Sequence, residues 1–365
     1  MRLLLVATRF PRPSHTFIVG KLEGLLDAGW DVHIACREPG PLELFPSLAA
    51  RPDMAGRVHA TEDLDALVGA LDPDLVHLEF HMIAWAPIPT TGVPTIISYR
   101  GIGFARDVAR HREIWERVSA VHAVSEAVCA LLNRLGCPPS LPVELITDGI
   151  DITFFSAPDR ELPASVGTAL RPLRILSTVR LDWTKGLPYM LDAVARVRSA
   201  GHACEYRIVG PTAYVQAEHE TKYCIWDLGL GDVATLVGQA TPLRVREELL
   251  WADVFLHGSV SDGLPHAVIE AQAMSLPVVC SDAGGLPEIV VDGETGFVVP
   301  RRDADALATK VAVLAGDPNL RRRLGQAGRR RVEAHFALTP MVERWMDFYQ
   351  RVAHGRTVSH PDTLE

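Results

Sequence analysis

Residues 261–300 read SDGLPHAVIEAQAMSLPVVCSDAGGLPEIVVDGETGFVVP. A Gly/Pro turn carries Asp262, and Glu270 follows eight positions later inside the helix that the turn opens. Val278 to Cys280 then read as a buried strand, and Gly284 with Gly285 as a turn. One acid in the loop and one on the helix can face the same ligand. The helix start between them offers free backbone N–H groups and the positive end of a dipole, which suits phosphate. Acids that hold hydroxyls beside a helix end that faces a diphosphate suit a nucleotide sugar.

Working outward, short apolar runs alternate with amphipathic stretches, as a parallel sheet wrapped by helices requires. In the first half strands are predicted at Leu3 to Ala7, Val32 to Ala35, Leu75 to Leu78, Thr95 to Tyr99, Ala120 to Val124 and Glu144 to Ile146. Ile18, Leu22, Leu25 and Leu26 share a helical face that Gly29 ends, and Ser125 is placed as the N-cap of a helix running to Leu135. From Asp151 to Arg174 the periodicity fails amid Pro158, Pro163, Gly167 and Pro172, which predicts a linker. A second alternation places strands at Ile175 to Val179, Tyr206 to Val209, Thr235 to Val237, Val254 to Leu256, Val278 to Cys280 and Phe297 to Val299, followed by helix from Asp303 to about Tyr349. The predicted class is α/β, with domains at 1–165 and 166–340 and a final helix and tail at 341–365.

Four stretches carry a resemblance: FPRPSHTFIVGKLEGLLDAGWDV near the start, AVHAVSEAVCALLNRLG with LITDGIDITFF in mid-chain, STVRLDWTKGL, and the Asp262/Glu270 segment. In order and spacing they resemble the retaining glycosyltransferases of family 4 (glycosyl transferases group 1) over nearly the whole chain. That resemblance implies the GT-B fold, two facing Rossmann-like domains with a ligand cleft between them and a last helix that crosses back to the first domain. It also implies transfer of a sugar from a nucleotide-sugar donor, UDP- or GDP-linked, to an acceptor hydroxyl of a sugar, lipid-linked or small molecule. Retention would come from front-face attack, with no protein nucleophile, no cofactor and no metal. Same-fold alternatives are a sugar-nucleotide epimerase or phosphorylase, and a catalytically silent nucleotide-binding relative.

The resemblance assigns roles to particular positions. Arg180 and Lys185 stand on its basic, phosphate-binding positions, where a guanidinium fork and an ammonium can stabilise a leaving diphosphate. Glu270 would grip ribose hydroxyls, because a carboxylate among Val268, Ile269 and Ala271 needs donors; an internal salt bridge is the other reading. Asp262 would take hydroxyls of the transferred sugar beside Gly263 and Leu264, although many relatives carry the longer Glu there. Pro265 suits the first helical position. Gly238 and Gln239 fall beside the nucleobase, and Gly284 and Gly285 read as turn formers. Ser14, His15 and Thr16 open the first helix and would complete a phosphate cradle. On the acceptor side, Glu79 stands where relatives carry a histidine, His81 follows, and Arg100 replaces another histidine and would suit an anionic acceptor. His77 and His81 equally fit satisfied structural histidines.

Composition and charge bound the remaining classes. The chain has 365 residues, 48% hydrophobic and 22% charged, which fits a globular α/β protein. A net charge of -9 argues against nonspecific nucleic-acid binding. The cysteines at 36, 129, 137, 204, 224 and 280 form no CxxC pair and read as apolar fillers. MRLLLVATRF reads as a first strand, not a signal peptide, and no apolar stretch approaches the roughly 20 residues that span a bilayer. A cytoplasmic protein is therefore expected, with peripheral membrane contact left open. The basic run between Arg100 and Arg117 is either a solvated helix face or a contact for anionic lipid. Asp72-Pro73-Asp74 has the form of a metal-binding DxD motif but stands in a turn before a strand, so no metal site is expected.

Overall fold

The computed structural model describes residues 1–79, 88–101, 108–157 and 165–355. The chain divides into two compact units, Met1–Gly149 together with the stretch from Leu338 onward, and Ile150–Ala337.

In the first unit the elements run β1 (Arg2–Phe10), α1 (Thr16–Asp27), β2 (Asp31–Pro39), α2 (Pro46–Ala49), α3 (Met54–Arg57), β3 (Val58–Ala60), α4 (Leu64–Leu71), β4 (Leu75–Leu78), β5 (Thr95–Tyr99), α5 (Val108–Trp115), β6 (Ala120–Ala123), α6 (Glu126–Arg134) and β7 (Val143–Leu145). The strands form one parallel sheet in the order β3-β2-β1-β4-β5-β6-β7. Leu3, Leu4, Leu5 and Val6 are all buried, because helices cover both faces of a parallel sheet. Each strand predicted for this half falls on an observed one. The exception is β3, whose half-exposed Val58 and His59 show no apolar run to read. Ser125 caps α6 as expected, its hydroxyl accepting from the Val128 N–H.

The second unit follows with β8 (Leu173–Thr178), α7 (Leu187–Ser199), β9 (Cys204–Val209), α8 (Val215–Asp227), β10 (Ala234–Gly238), α9 (Pro242–Trp251), β11 (Val254–His257), α10 (His266–Ala273), β12 (Val278–Ser281), α11 (Leu286–Ile289), β13 (Gly296–Val299), α12 (Ala304–Gly316) and α13 (Pro318–His335). Its parallel sheet has the order β10-β9-β8-β11-β12-β13. The single helix expected after Asp303 is three. Asp317, with extended backbone, caps α13 through the Leu320 N–H with Pro318 behind it, and a second break precedes α14 (Leu338–Ala353).

The boundary also differs from the expected 165. Residues 151–157, predicted as the start of a linker, are fastened within the second unit. Arg329 donates to the carbonyls of Ile152 and Phe155, and Arg246 to those of Phe154 and Ser156. Pro158 and Pro163 lie outside the described residues.

α14 belongs to the first unit. It buries Met341, Val342, Trp345, Phe348, Tyr349 and Val352, an apolar stripe at helical spacing. α14 lies against α1 at Gly20 and Gly24, where a Cβ would stand 2.9 Å from Leu338 and 2.6 Å from Val342. Among the described residues no helix is long and apolar enough to cross a membrane.

Candidate functional site

In the second unit the chain leaves β8 toward β9 on one side and returns to β11 on the other. The loops after β8 and β11 therefore diverge from neighbouring strands, the switch point at which open α/β sheets bind ligands. Arg180 and Lys185 follow β8; His257, Ser259 and Asp262 end or follow β11.

These two loops are bound into one body. The Thr184 carbonyl accepts from the N–H groups of Val260 and Ser261, at 2.7 and 3.2 Å. Gly186, at φ +65°, lies so close that a Cβ would stand 2.0 Å from the Gly258 carbonyl oxygen. Gly284, at φ +55°, likewise admits the Asp262 carbonyl, 1.7 Å from where its Cβ would be, and Gly285 donates to the Gly263 carbonyl at 3.0 Å. Only glycine combines that backbone conformation with that proximity.

Lys185 Nζ meets Asp262 Oδ2 at 2.7 Å. The same oxygen is 3.1 Å from His257 Nε2 and 3.0 Å from Ser259 Oγ. Burial opposes ionisation of Asp262, but the Lys185 ammonium and the His257 N–H outweigh it and hold the carboxyl below the usual range. Arg180, mostly exposed, pairs through Nε with Asp182 Oδ2 at 2.7 Å, while Asp182 also accepts from the Thr184 N–H and hydroxyl. Both cations thus have a carboxylate partner that an incoming anion must share.

Glu270 differs. It lies on α10 with 8% of its surface exposed, and no described residue hydrogen-bonds or ion-pairs with its carboxylate. Burial raises its pKa to about 7, with His266 opposing. The alternative of an internal salt bridge is thus absent among the described residues. Pro265 stands one position before α10 rather than at its first residue, and no side chain caps the helix start. Gly238, at φ +83°, offers its carbonyl to the Gly210 N–H at 2.8 Å, and with Gln239 is exposed. Leu264 is buried.

The first unit has its own switch point, between β1 and β4. Here the loop before α1 meets Glu79 and Arg100. His15 is buried and held neutral, its pKa lowered to about 4 chiefly by burial and then by the Arg12 charge. Its N–H donates to the Arg12 carbonyl at 2.9 Å, so the cradle expected of Ser14, His15 and Thr16 lacks that donor. Ser14 is exposed, and Thr16 begins the helix.

Glu79 is fully buried: Oε1 accepts from Lys21 Nζ at 2.5 Å and Oε2 from Arg100 at 3.1 Å. Arg100 in turn donates through Nη1 to both oxygens of Asp148, at 2.6 and 2.8 Å, and its guanidinium lies 4.1 Å from the Phe17 ring centre. Two cations and two carboxylates balance, which makes their burial tolerable. An anionic acceptor, which Arg100 was expected to suit, would therefore meet two carboxylates already seated there. His81 lies outside the described residues, as do Arg106 and Asp107.

His77 is a structural histidine. His122 Nε2 can only donate to the Ile146 carbonyl at 2.8 Å, so its Nδ1 accepts from Ser98 Oγ at 2.8 Å. Ser98 accepts in turn from His77 Nε2, and His77 Nδ1 accepts from Tyr349 Oη, both at 2.7 Å. Burial lowers both histidine pKa values, so this chain is neutral and ties α14 to three strands.

Sequence reasoning missed Lys21 and His257. Lys21 had a signal: it falls on the α1 face that carries Ile18, Leu22 and Leu25, where a charge needs a buried partner. Three arginines in residues 321–331, RRRLGQAGRRR, also donate to carbonyls: Arg321 to Leu314 and Ala315, Arg329 as above, and Arg331 to Glu288 and Ile289.

Two parallel α/β sheets, each with polar side chains gathered at the carboxyl end of its switch point, form the GT-B architecture. Residues 159–331 match the family Glycosyl transferases group 1, and residues 15–154 match Glycosyltransferase Family 4. The chain belongs to the group 1 glycosyltransferases. Among its relatives is the putative colanic acid biosynthesis glycosyltransferase WcaL of Escherichia coli, 25% identical over 84% of this chain and 89% of that one. The amylovoran biosynthesis glycosyltransferase AmsK of Erwinia amylovora is 26% identical over the same shares. Of solved structures, sucrose-phosphate synthase from Thermosynechococcus elongatus superposes with a TM-score of 0.80 at 20% identity, covering 97% of this chain and all of that one. Anabaena HepE in complex with UDP-glucose gives 0.78 at 16% identity, covering 96% and 99%.

Proposed function

We propose that the chain transfers a sugar from a nucleotide-sugar donor to an acceptor hydroxyl with retention of anomeric configuration, in the building of a polysaccharide. The observation that carries this reading is Glu270, a buried carboxylate to which no described residue donates, on the helix that follows the Asp262 loop. A buried acid without donors is costly, and a ligand rich in hydroxyls supplies them. Ribose fits that need, while Lys185, Arg180 and the uncapped start of α10 supply positive charge for a diphosphate. The relatives named for colanic acid and amylovoran biosynthesis support the polysaccharide setting, and the HepE complex supports a UDP-sugar donor.

In the proposed reaction the bond from the anomeric carbon to the diphosphate oxygen breaks and one to the acceptor oxygen forms on the same face. The acceptor proton passes to the departing diphosphate. Lys185 and Arg180 stabilise the charge that gathers there, Glu270 and Asp262 orient the donor, and the first unit selects the acceptor.

Screening UDP-, GDP- and ADP-sugars for thermal stabilisation identifies the donor, because a ligand that binds the native state raises the melting temperature. With that donor, Lys185→Ala or Arg180→Ala should lower turnover about a hundredfold or more, on the scale of one lost charge-stabilising group. Variants that transfer sugar at the parent rate overturn the assignment. Conversion of the donor sugar without any acceptor marks an epimerase instead.

A further inference from the structure

His257 closes a strand of core residues, Val254, Phe255 and Leu256, all buried. The imidazole is itself 1% exposed and Ser259 is fully buried. A carboxylate only accepts, so His257 must carry a proton on Nε2 to meet Asp262 Oδ2. Its Nδ1 is buried with no hydrogen-bond partner, which fits a bare lone pair. Ser259 Oγ donates to the same Asp262 oxygen while lying 3.0 Å from His257 Nε2. Three donors, from Lys185, His257 and Ser259, thus converge on Oδ2. No described residue donates to Oδ1, and the side chain keeps 10% of its surface open.

We propose that His257 and Ser259 are positioning residues for Asp262: with Lys185 they pin Oδ2 and so reserve Oδ1 to accept one hydroxyl of the transferred sugar. This rests on the donor reading above and adds specificity to it. A single presented lone-pair edge reads one hydroxyl, whereas a freely rotating carboxylate reads several. Lys185 also draws toward the diphosphate in the loaded site, so the two neutral donors are what keep Asp262 in place once that charge turns to the ligand. The seat suits the shorter aspartate; a glutamate, one methylene longer, carries its carboxyl past His257 and Ser259.

The test compares His257→Phe, which keeps the ring volume without the donor, with His257→Gln, whose amide N–H reaches about the Nε2 position. His257→Phe should lower kcat about 10- to 100-fold, the scale of losing one organising hydrogen bond in a site. Binding of UDP and GDP by calorimetry should stay within about twofold of the parent, since the phosphate-binding charges remain. His257→Gln should recover most of the rate, and Asp262→Glu should be as poor as His257→Phe. Parent kcat in His257→Phe, or a loss of UDP or GDP binding in step with kcat, overturns the proposal. A second measurement needs no turnover: nitrogen-15 histidine spectra at about pH 8 should show one resonance pair, absent from His257→Gln, in the neutral Nε2–H form, and on acidification it should protonate later than an ordinary histidine because the ring is buried. A His257 that titrates normally or carries Nδ1–H overturns it. If the parent transfers no sugar at all, the donor reading fails, and these spectra still decide the seat of Asp262.

Discussion

Glu270 shows at the residue scale how a buried acid to which no described residue donates costs stability. Its pKa rises from an ordinary 4.5 to about 7 because it is buried, and no described residue donates to it. Between those values the native protein holds a proton that the unfolded chain has released, so stability falls as pH rises from 4.5 toward 7 and stays low above it. The full shift corresponds to about 3 kcal/mol at pH 8. Glu270→Gln should therefore melt higher than the parent at pH 8 and match it near pH 4.5, while binding the donor more weakly. Thermal melts at the two pH values check this; a variant that follows the parent at both contradicts the burial argument. Hydroxyl donors favour the ionised form, so donor binding near pH 6.5 should release protons, seen as buffer-dependent calorimetric heat.

At the scale of elements, the seam between α1 and α14 depends on missing side chains. Gly20 and Gly24 are one helical turn apart on the α1 face that Leu338 and Val342 cover. Gly24→Val would place branched carbons where Val342 already sits, 2.6 Å from the first added atom. The cost should be about 1–3 kcal/mol, as for overpacking in a core, read as a lower urea midpoint. An unchanged midpoint would mean that α14 docks less tightly than described. The helix propensity gained on replacing glycine works in the opposite direction but is smaller, at most about 1 kcal/mol.

For the whole molecule, each unit has a core of its own, and one of them is assembled from both ends of the chain. Trp345, Phe348 and Tyr349 enter the first core, and Tyr349 completes the neutral chain through His77, Ser98 and His122. Deleting residues 338–365 should therefore unfold the first unit, leaving the buried His77 Nδ1 with Lys21 alone, at 3.4 Å, and an apolar sheet face bare. The stretch 150–337 keeps its own core and should persist as a protease-resistant fragment on limited digestion. Loss of both units on this deletion would show that they fold as one.

The amino-acid sequence alone determined the strands, because a parallel sheet covered on both faces writes itself as apolar runs at Leu3–Ala7 or Val278–Cys280, legible without any partner. It also determined the loop-and-helix placement of Asp262 and Glu270, since turn residues and helical spacing are local. It could not show β3, too short and too exposed to leave a pattern; the helix break at Asp317 was legible, since an Asp before a Pro marks a helix start, but was missed. What Lys21, His257 and Arg100 do was decided by tertiary structure alone. Lys21 and Glu79 are 58 residues apart, Arg100 and Asp148 48, and Lys185 and Asp262 77. Charge pairing depends on distance through space, and only the folded sheet, by setting its strand order, brings those side chains within reach.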